Sequence, residues 1–354
     1  MTRLKMVRAI CEAFDEELER DPSVCLFGED VGEFGGVFST SARLQKRYGA
    51  RRVFDTPLSE AAIIGMAVGA AMTGLRPIAE IMYLDFITVA VDPLVNQAAK
   101  LRSMSGGQAK LPLVIFTQCG AGTSEAAQHS QCLEAWFAHV PGLKVVMPAT
   151  VADAKGLLKA SIRDDNPVLY IWHKLLYDLK EEVPEGELLV PLGKAAVRRA
   201  GSDLTLVATS LMVHRAAAAA DALTEEIDVE LIDLRSIVPW DVETVLGSVR
   251  KTGRLLVVHE ANTQFGVGAE IVRRVTEEAF SSLRCAPVVH GGAAAPIPFA
   301  HVLESAAVPQ QETIMAAARR MLSGGQSTRV SALLDKPAVA PNPQLIGTKF
   351  DGLR

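Results

Sequence analysis

Residues 55–82 read DTPLSEAAIIGMAVGAAMTGLRPIAEIM, and the fold turns on how this stretch divides. Ser59 is a natural N-cap and Glu60 sits where an acidic side chain favours a helix start. The small residues that follow predict a helix over 60–73. LRPIAEIM then reads as a strand. The apolar run Ala61–Leu75 is too short and too rich in glycine to cross a bilayer, which takes roughly 20 apolar residues. It reads instead as a buried helix whose small side chains allow close packing. Outward from this unit, SVCLFGED, LPLVIFTQ, LKVVMPA and PVLYIW are further strands, and 91–102 is a further helix. Strands this apolar are covered on both faces, as in a parallel sheet with helical crossovers. A second set follows: DLTLVATS, a helix over 212–224, VELIDLR, a helix over 241–251, RLLVVHE, and a helix from GAEIVRRVTEEAF. The fold class is therefore α/β, with two domains of mainly parallel sheet over 1–185 and 195–323. The charged, proline-bearing segment 178–194 reads as a linker, and 324–354, where periodicity is lost, as a tail.

The bulk numbers agree with two domains. The chain has 354 residues, 49% hydrophobic and 22% charged, enough apolar material for large cores and unlike a disordered protein. A net charge of −5 with both signs mixed gives no basic block for nucleic acid and no basic amphipathic helix for a membrane. Five cysteines, an odd number without C-x-x-C, fit a reducing compartment better than a disulfide framework or zinc. The first twenty residues form an amphipathic helix with acidic residues rather than a signal peptide. The expectation is a soluble, cytoplasmic protein.

Few motifs carry chemistry. FGVGAE lacks the third glycine of a dinucleotide turn, and neither a Walker A pattern nor G-x-S-x-G occurs. The two carboxylates of GEDVG (28–32) read as a solvated loop pair more readily than as metal ligands. Glu60 is a cap in the bland reading. Yet the helix behind it is almost wholly apolar, so its carboxylate would be half-buried, with a raised pKa and a proton to share. Of seven histidines, His139, His173, His259 and His290 lie beside apolar runs, and His214 and His301 start or lie on helices. Only His129 sits in a polar, glycine-rich loop, GAGTSEAAQHSQ. It is either a surface residue or a catalytic imidazole.

VFDTPLSEAAIIGMAVGAAMTGLRPIAEIMYLDF, KLRSMSGGQAKLPLVI, AAQHSQCLEAWFAHVPGLKVVMPAT, DAKGLLKASIRDDNPV and TGRLLVVHEA occur in that order. Together they resemble the β subunit of the thiamine-diphosphate-dependent first component of 2-oxo acid dehydrogenase complexes, over roughly residues 4–321. HSQCLEAWFAHVPGLKVV resembles the pyruvate and acetoin members. The resemblance implies a transketolase-like pyrimidine-binding domain followed by a transketolase C-terminal domain. It implies a heterotetramer with an α subunit whose GDG…N motif holds Mg²⁺ and the diphosphate; no GDG occurs here. It implies oxidative decarboxylation of pyruvate, or cleavage of acetoin, and acyl transfer to lipoyl-lysine on the acyltransferase of the complex. Glu60 matches the glutamate that hydrogen-bonds the aminopyrimidine ring of thiamine diphosphate and favours the tautomer that removes the thiazolium proton. Phe86 matches an aromatic packed on that ring, and Leu58 is adjacent. His129 matches the histidine that donates a proton in acyl transfer to the lipoyl group. Leu113, Ser161, Ile162, Asp164 and Asn166 match a structural potassium site built mainly from backbone carbonyls.

Departures from the pattern are specific. GTSEAAQH stands where acetoin-type members carry GRSAGAQH, so an arginine is missing and Glu125 is added; beside His129 it would raise the imidazole pKa. Phe116 replaces another arginine, and NTQFGVG replaces a TGGFG-like turn. These changes suggest a divergent paralogue with a changed acyl substrate or partner. Two alternatives stay open: a branched-chain 2-oxo acid or specialised biosynthetic acyl donor, and a non-catalytic docking subunit. The tail 324–354 is either solvated or a contact for the acyltransferase core.

Overall fold

The computed structural model describes residues 1–323; the expectation of a docking tail lies outside them. Seven strands form the first sheet, in the order Ser236–Val238, Lys144–Val146, Val168–His173, Val114–Cys119, Arg76–Tyr83, Val24–Gly28, Val53–Asp55. Every pairing is parallel except that of Ser236–Val238 with Lys144–Val146. Three central strands, Val24–Gly28, Val114–Cys119 and Val168–His173, are buried at every residue. Alternation sorts them into two cores. Leu26, Phe116 and Tyr170 join Phe14 and Ile162 of the helices Met6–Arg20 and Val151–Arg163. Phe27, Ile115 and Ile171 join Ile63, Ile64 and Ala67 of the helix Glu60–Met72.

The second sheet runs Val288–Gly292, Leu255–Asn262, Leu204–Ala208, Val229–Asp233, Ala196–Arg199, and only its last pairing is antiparallel. The helices Leu211–Ala222, Val242–Thr252, Val267–Ala279 and Gln311–Leu322 flank it. The two halves are stitched by ion pairs. Arg198 bridges Asp153 and Asp233, and Arg235 holds Asp153 at 3.0 Å.

Several expectations need correction. The segment read as a linker contributes a strand, Lys180–Val183, paired antiparallel with Thr2–Lys5. The opening residues are therefore a strand, and the helix begins only at Met6. Residues 91–102 form a π-helical turn, Asp92–Ala98, then the short helix Leu101–Met104. The helix Glu60–Met72 is not buried all round. Ile63, Ile64, Ala67, Val68 and Ala71 face the core, while Ala61, Ala62, Gly65, Met66, Gly69 and Met72 are exposed. A Cβ added at Gly65 or Gly69 would meet nothing within 4 Å. The small residues thus leave an open apolar face. Among the described residues no helix is long and apolar enough to cross a membrane.

Candidate active site

The carboxyl ends of the first sheet's parallel strands converge, where open α/β sheets place ligands. Val24–Gly28 runs into Glu29, Val53–Asp55 into the loop that ends at Glu60, and Arg76–Tyr83 into Asp85 and Phe86. Val114–Cys119 runs into the loop carrying His129, and Val168–His173 into Lys174. The topology thus brings Glu60, Phe86 and His129 to one edge.

Glu60 opens its helix and is half-buried. Its partner is Glu29, whose carboxyl is held above the usual range by burial first, then by Glu60 and Asp30. The loop carrying Glu29 is pinned: Asp55 accepts from the Gly32 N–H at 2.6 Å and the Glu33 N–H at 3.2 Å. A Cβ on Gly28 would lie 2.5 Å from the Glu80 carbonyl oxygen, so only glycine passes there. The expectation of a solvated pair needs correction at Glu29, which is half-buried. The available signal was its place directly after a fully apolar strand. Leu58, in the intervening loop, is 85% exposed.

His129 is half-buried and caged by aromatics. Its ring meets Tyr83 at 4.8 Å and Phe86 at 5.2 Å, both edge-on. Phe86 thus lies beside the imidazole. The Lys174 ammonium donates to the His129 carbonyl at 2.7 Å and pairs with Glu125. Thr123 and Tyr83 also donate to Glu125, at 3.0 and 3.3 Å. Burial works to raise the Glu125 pKa, but Lys174 outweighs it and the carboxyl is held below its usual range. The added carboxylate is therefore engaged by Lys174. Phe116 is also resolved. It is buried, stacked on Tyr170 at 5.6 Å and edge-on to Phe14 at 5.1 Å, so its replacement of an arginine belongs to the core. Beneath the loop, Asp85 accepts from the backbone and side chain of Gln131 at 3.2 and 2.7 Å. Burial pushes the Glu134 carboxyl up to about 7.

The five potassium candidates gather away from this edge, where the helix Val151–Arg163 ends and the strands Val114–Cys119 and Val168–His173 begin. The Ile162 and Asp164 carbonyls each accept from Arg76 at 3.1 Å. The Leu113 carbonyl accepts from the Val168 N–H at 3.0 Å, and that of Ser161 from the Asp164 N–H at 3.2 Å. The Asn166 side-chain oxygen takes Arg102 at 2.8 Å. Each carbonyl keeps a second lone pair, so the set fits a cation that shares oxygens with Arg76.

One buried acid beneath the site gives a pH prediction. Glu80 lies in the strand Arg76–Tyr83, and burial pushes its pKa up to about 7, against a Thr40 hydrogen bond at 3.3 Å. Its folded pKa stands above the unfolded 4.5, so the folded state binds this proton more tightly. The associated stability is complete below the unfolded pKa and lost as pH rises through 7. Glu80→Gln is therefore expected to raise the melting temperature more at pH 8 than at pH 5. An equal shift at both would place the titration elsewhere.

Two family models cover this architecture: transketolase, pyrimidine binding domain, over residues 2–180, and transketolase, C-terminal domain, over 193–314. A solved split-gene transketolase, described as an inactive beta4 tetramer, superposes with a TM-score of 0.76 at 22% identity. It covers 91% of this chain and 100% of that one, a likeness of fold. The chain is thus a two-domain transketolase-like protein, and its pyrimidine-binding domain implies thiamine diphosphate. The relatives are narrower. The acetoin:2,6-dichlorophenolindophenol oxidoreductase subunit beta of Cupriavidus necator is 46% identical over 335 residues, 92% of this chain and 99% of its own. The rice mitochondrial pyruvate dehydrogenase E1 component subunit beta-2 is 48% identical over 318 residues, 88% of this chain and 84% of its own. The human mitochondrial pyruvate dehydrogenase E1 subunit beta is 44% identical over 321 residues, 89% of each chain. The chain belongs to this family, the E1 β subunits of pyruvate and acetoin dehydrogenases. A β subunit implies an α partner within a dehydrogenase complex.

Proposed function

We propose that this chain is the β half of a heterotetrameric enzyme that decarboxylates pyruvate oxidatively, or cleaves acetoin, and passes the acyl group to lipoyl-lysine of the complex's acyltransferase. The observation that carries this reading is the convergence of Glu29–Glu60 and the Phe86–His129–Tyr83 cluster on one sheet edge. Thiamine diphosphate, when bound, supplies the electron sink for the negative charge left by bond cleavage. Glu60 places its carboxyl against the aminopyrimidine ring, and Glu29 lies beside it with its own carboxyl held above the usual range by burial first, then by Glu60 and Asp30. Phe86 offers the ring an apolar surface. His129, its backbone fixed by Lys174, presents an imidazole that can give a proton to the opening dithiolane and take it back. No GDG occurs in the sequence, so Mg²⁺ and the diphosphate fall to the α subunit. The open face of the helix Glu60–Met72 supports a partner subunit packed upon it.

Co-expression with a GDG-containing α subunit, with thiamine diphosphate and Mg²⁺, tests the reading. Dye reduction is followed with pyruvate, acetoin and branched 2-oxo acids, and lipoyl acylation beside it. One preferred substrate is expected, with lipoyl acylation lowered at least about 100-fold by His129→Ala. Silence on every substrate from a cofactor-loaded heterotetramer, or an unaffected His129→Ala, would favour a docking subunit.

We also place a potassium ion at the carbonyls of Leu113, Ser161, Ile162, Asp164 and Asn166. Potassium chloride should then raise the melting temperature relative to choline chloride at equal ionic strength. Equal melting would overturn the site and leave that bend to Arg76, Arg102 and Lys144.

A further inference from the structure

Two carboxylates of the second domain reach across to the loop that carries His129. Glu304, on the helix His301–Ala307, is fully buried. It accepts from the Gly122 N–H at 2.7 Å, from the Ser124 N–H at 3.1 and 3.2 Å, and from the Ser124 hydroxyl at 3.5 Å. The His301 ring lies 3.7 Å away and is largely exposed. Glu260, in the strand Leu255–Asn262, accepts from the Ala121 N–H at 2.7 Å and pairs with His173 at 2.9 Å. The N–H groups of Ala121, Gly122 and Ser124 are thus aimed at anionic oxygens from the other domain.

The loop needs that help. Gly120 and Gly122 have φ of 101° and 113°, and the non-glycine residues Ser124 and Ala126 have φ of 57° and 60°. Strained backbone of this kind persists only where its surroundings over-determine it. Among the described residues of the first domain none accepts from the Gly122 or Ser124 N–H; both go to Glu304. The next residue, Glu125, pairs with Lys174, and Lys174 holds the His129 carbonyl. The contacts run unbroken from Glu304 through Ser124, Glu125 and Lys174 to His129.

We propose that Glu304 is a positioning residue for His129: the second domain sets the loop from which the imidazole acts. This rests on the reading of His129 as the acyl-transfer acid. The proposal separates two half-reactions that a general loss of fold would lower together.

The test uses the reconstituted heterotetramer with Glu304→Gln. The amide keeps the size but offers one neutral acceptor and turns an NH₂ toward N–H groups. Lipoyl-domain acylation (kcat and KM), dye-linked substrate oxidation and thermal melting are measured. Losing a charge-assisted contact should lower kcat for lipoyl acylation about 10-fold or more. KM for the lipoyl domain should hold, and the ratio of acylation to dye reduction should fall. In a His129→Ala background, adding Glu304→Gln should lower acylation no further, because both act through one group. An unchanged ratio, with both activities and the melting temperature falling together, would overturn the proposal. So would a further loss in the double variant. If His129→Ala alone leaves acylation intact, the acyl-transfer reading fails first and takes the proposal with it. Should Glu304→Gln not assemble, Glu304→Asp, which keeps the charge but withdraws it, is read by the same ratio.

Discussion

Glu60→Gln is expected to slow substrate decarboxylation or cleavage by roughly 10²–10⁴-fold in the reconstituted heterotetramer, the range typical of losing a positioned general acid–base group. The side chain keeps its shape, so the change isolates the shared proton. An amide cannot exchange a proton with a ring nitrogen, and it removes the charge that interacts with Glu29. Burial and Asp30 would then remain the influences on Glu29. Stability should barely move. Glu60 is half-buried in the first turn of its helix, where a favourable carboxylate is worth about 0.3–1 kcal/mol. The decisive pair of measurements is single-turnover substrate consumption and melting of the same preparation. A loss below about 3-fold, small beside the range for acid–base catalysis, would shift the proton-sharing role to Glu29. A parallel collapse of melting would make Glu60 a structural cap.

Much of this arrangement is legible in the sequence because parallel strands buried on both faces announce themselves. VCLFG and VIFTQC contain hardly a polar residue, and neighbours such as Leu26 and Phe27 go to different cores. Edge strands do not announce themselves. Val53–Asp55 and Ser236–Val238 have three residues each, and Lys180–Val183 is mostly charged; pairing partners far along the chain define them. The helix Glu60–Met72 shows a different limit. Small apolar residues on every side say that the helix will be covered, but not whether by its own chain, and half of its surface is open here. Glu60, Phe86 and His129 stand out in the sequence because each lies inside a distinctive run. Tyr83 and Glu260 lie inside such runs and Lys174 and Glu304 do not, but no chemistry marks any of the four. Each is ordinary in its own stretch and gains meaning only when the sheets bring Lys174 to a carbonyl 45 residues back and Glu304 to an N–H 182 residues back. Glu125 and Phe116 make the same point. Their departure from the family pattern was visible, but whether it touched the chemistry depended on Lys174 and on the aromatic core.

Gly120→Ala should be the most damaging single methyl in the loop. Gly120 has φ of 101°, a conformation that costs a non-glycine residue about 1–3 kcal/mol. Its added Cβ would stand 1.9 Å from Nε2 of His173, and 2.4 and 2.5 Å from two other ring atoms. The ring cannot swing aside freely. Nδ1 accepts from the Leu175 N–H at 3.1 Å, which leaves the proton on Nε2, facing Glu260 at 2.9 Å. Burial works against ionised Glu260, yet His173, the Ala121 N–H and Arg215 hold its carboxyl below the usual range. Moving the imidazole would take one donor from that buried charge, which keeps the Ala121 N–H, at a cost of about 1.5–3 kcal/mol. The two terms together approach roughly 2.5–6 kcal/mol, a large part of the roughly 5–15 kcal/mol by which domains are stable. The melting temperature should fall by about 10 °C or more, with the second domain's hold on the His129 loop lost alongside. His173→Ala separates the causes. With the ring gone, the methyl has room and only backbone strain remains. Adding Gly120→Ala to His173→Ala should then cost much less than adding it to the natural chain. Equal costs in both backgrounds would mean that the backbone at Gly120, and not the His173–Glu260 pair behind it, is what forbids a side chain there.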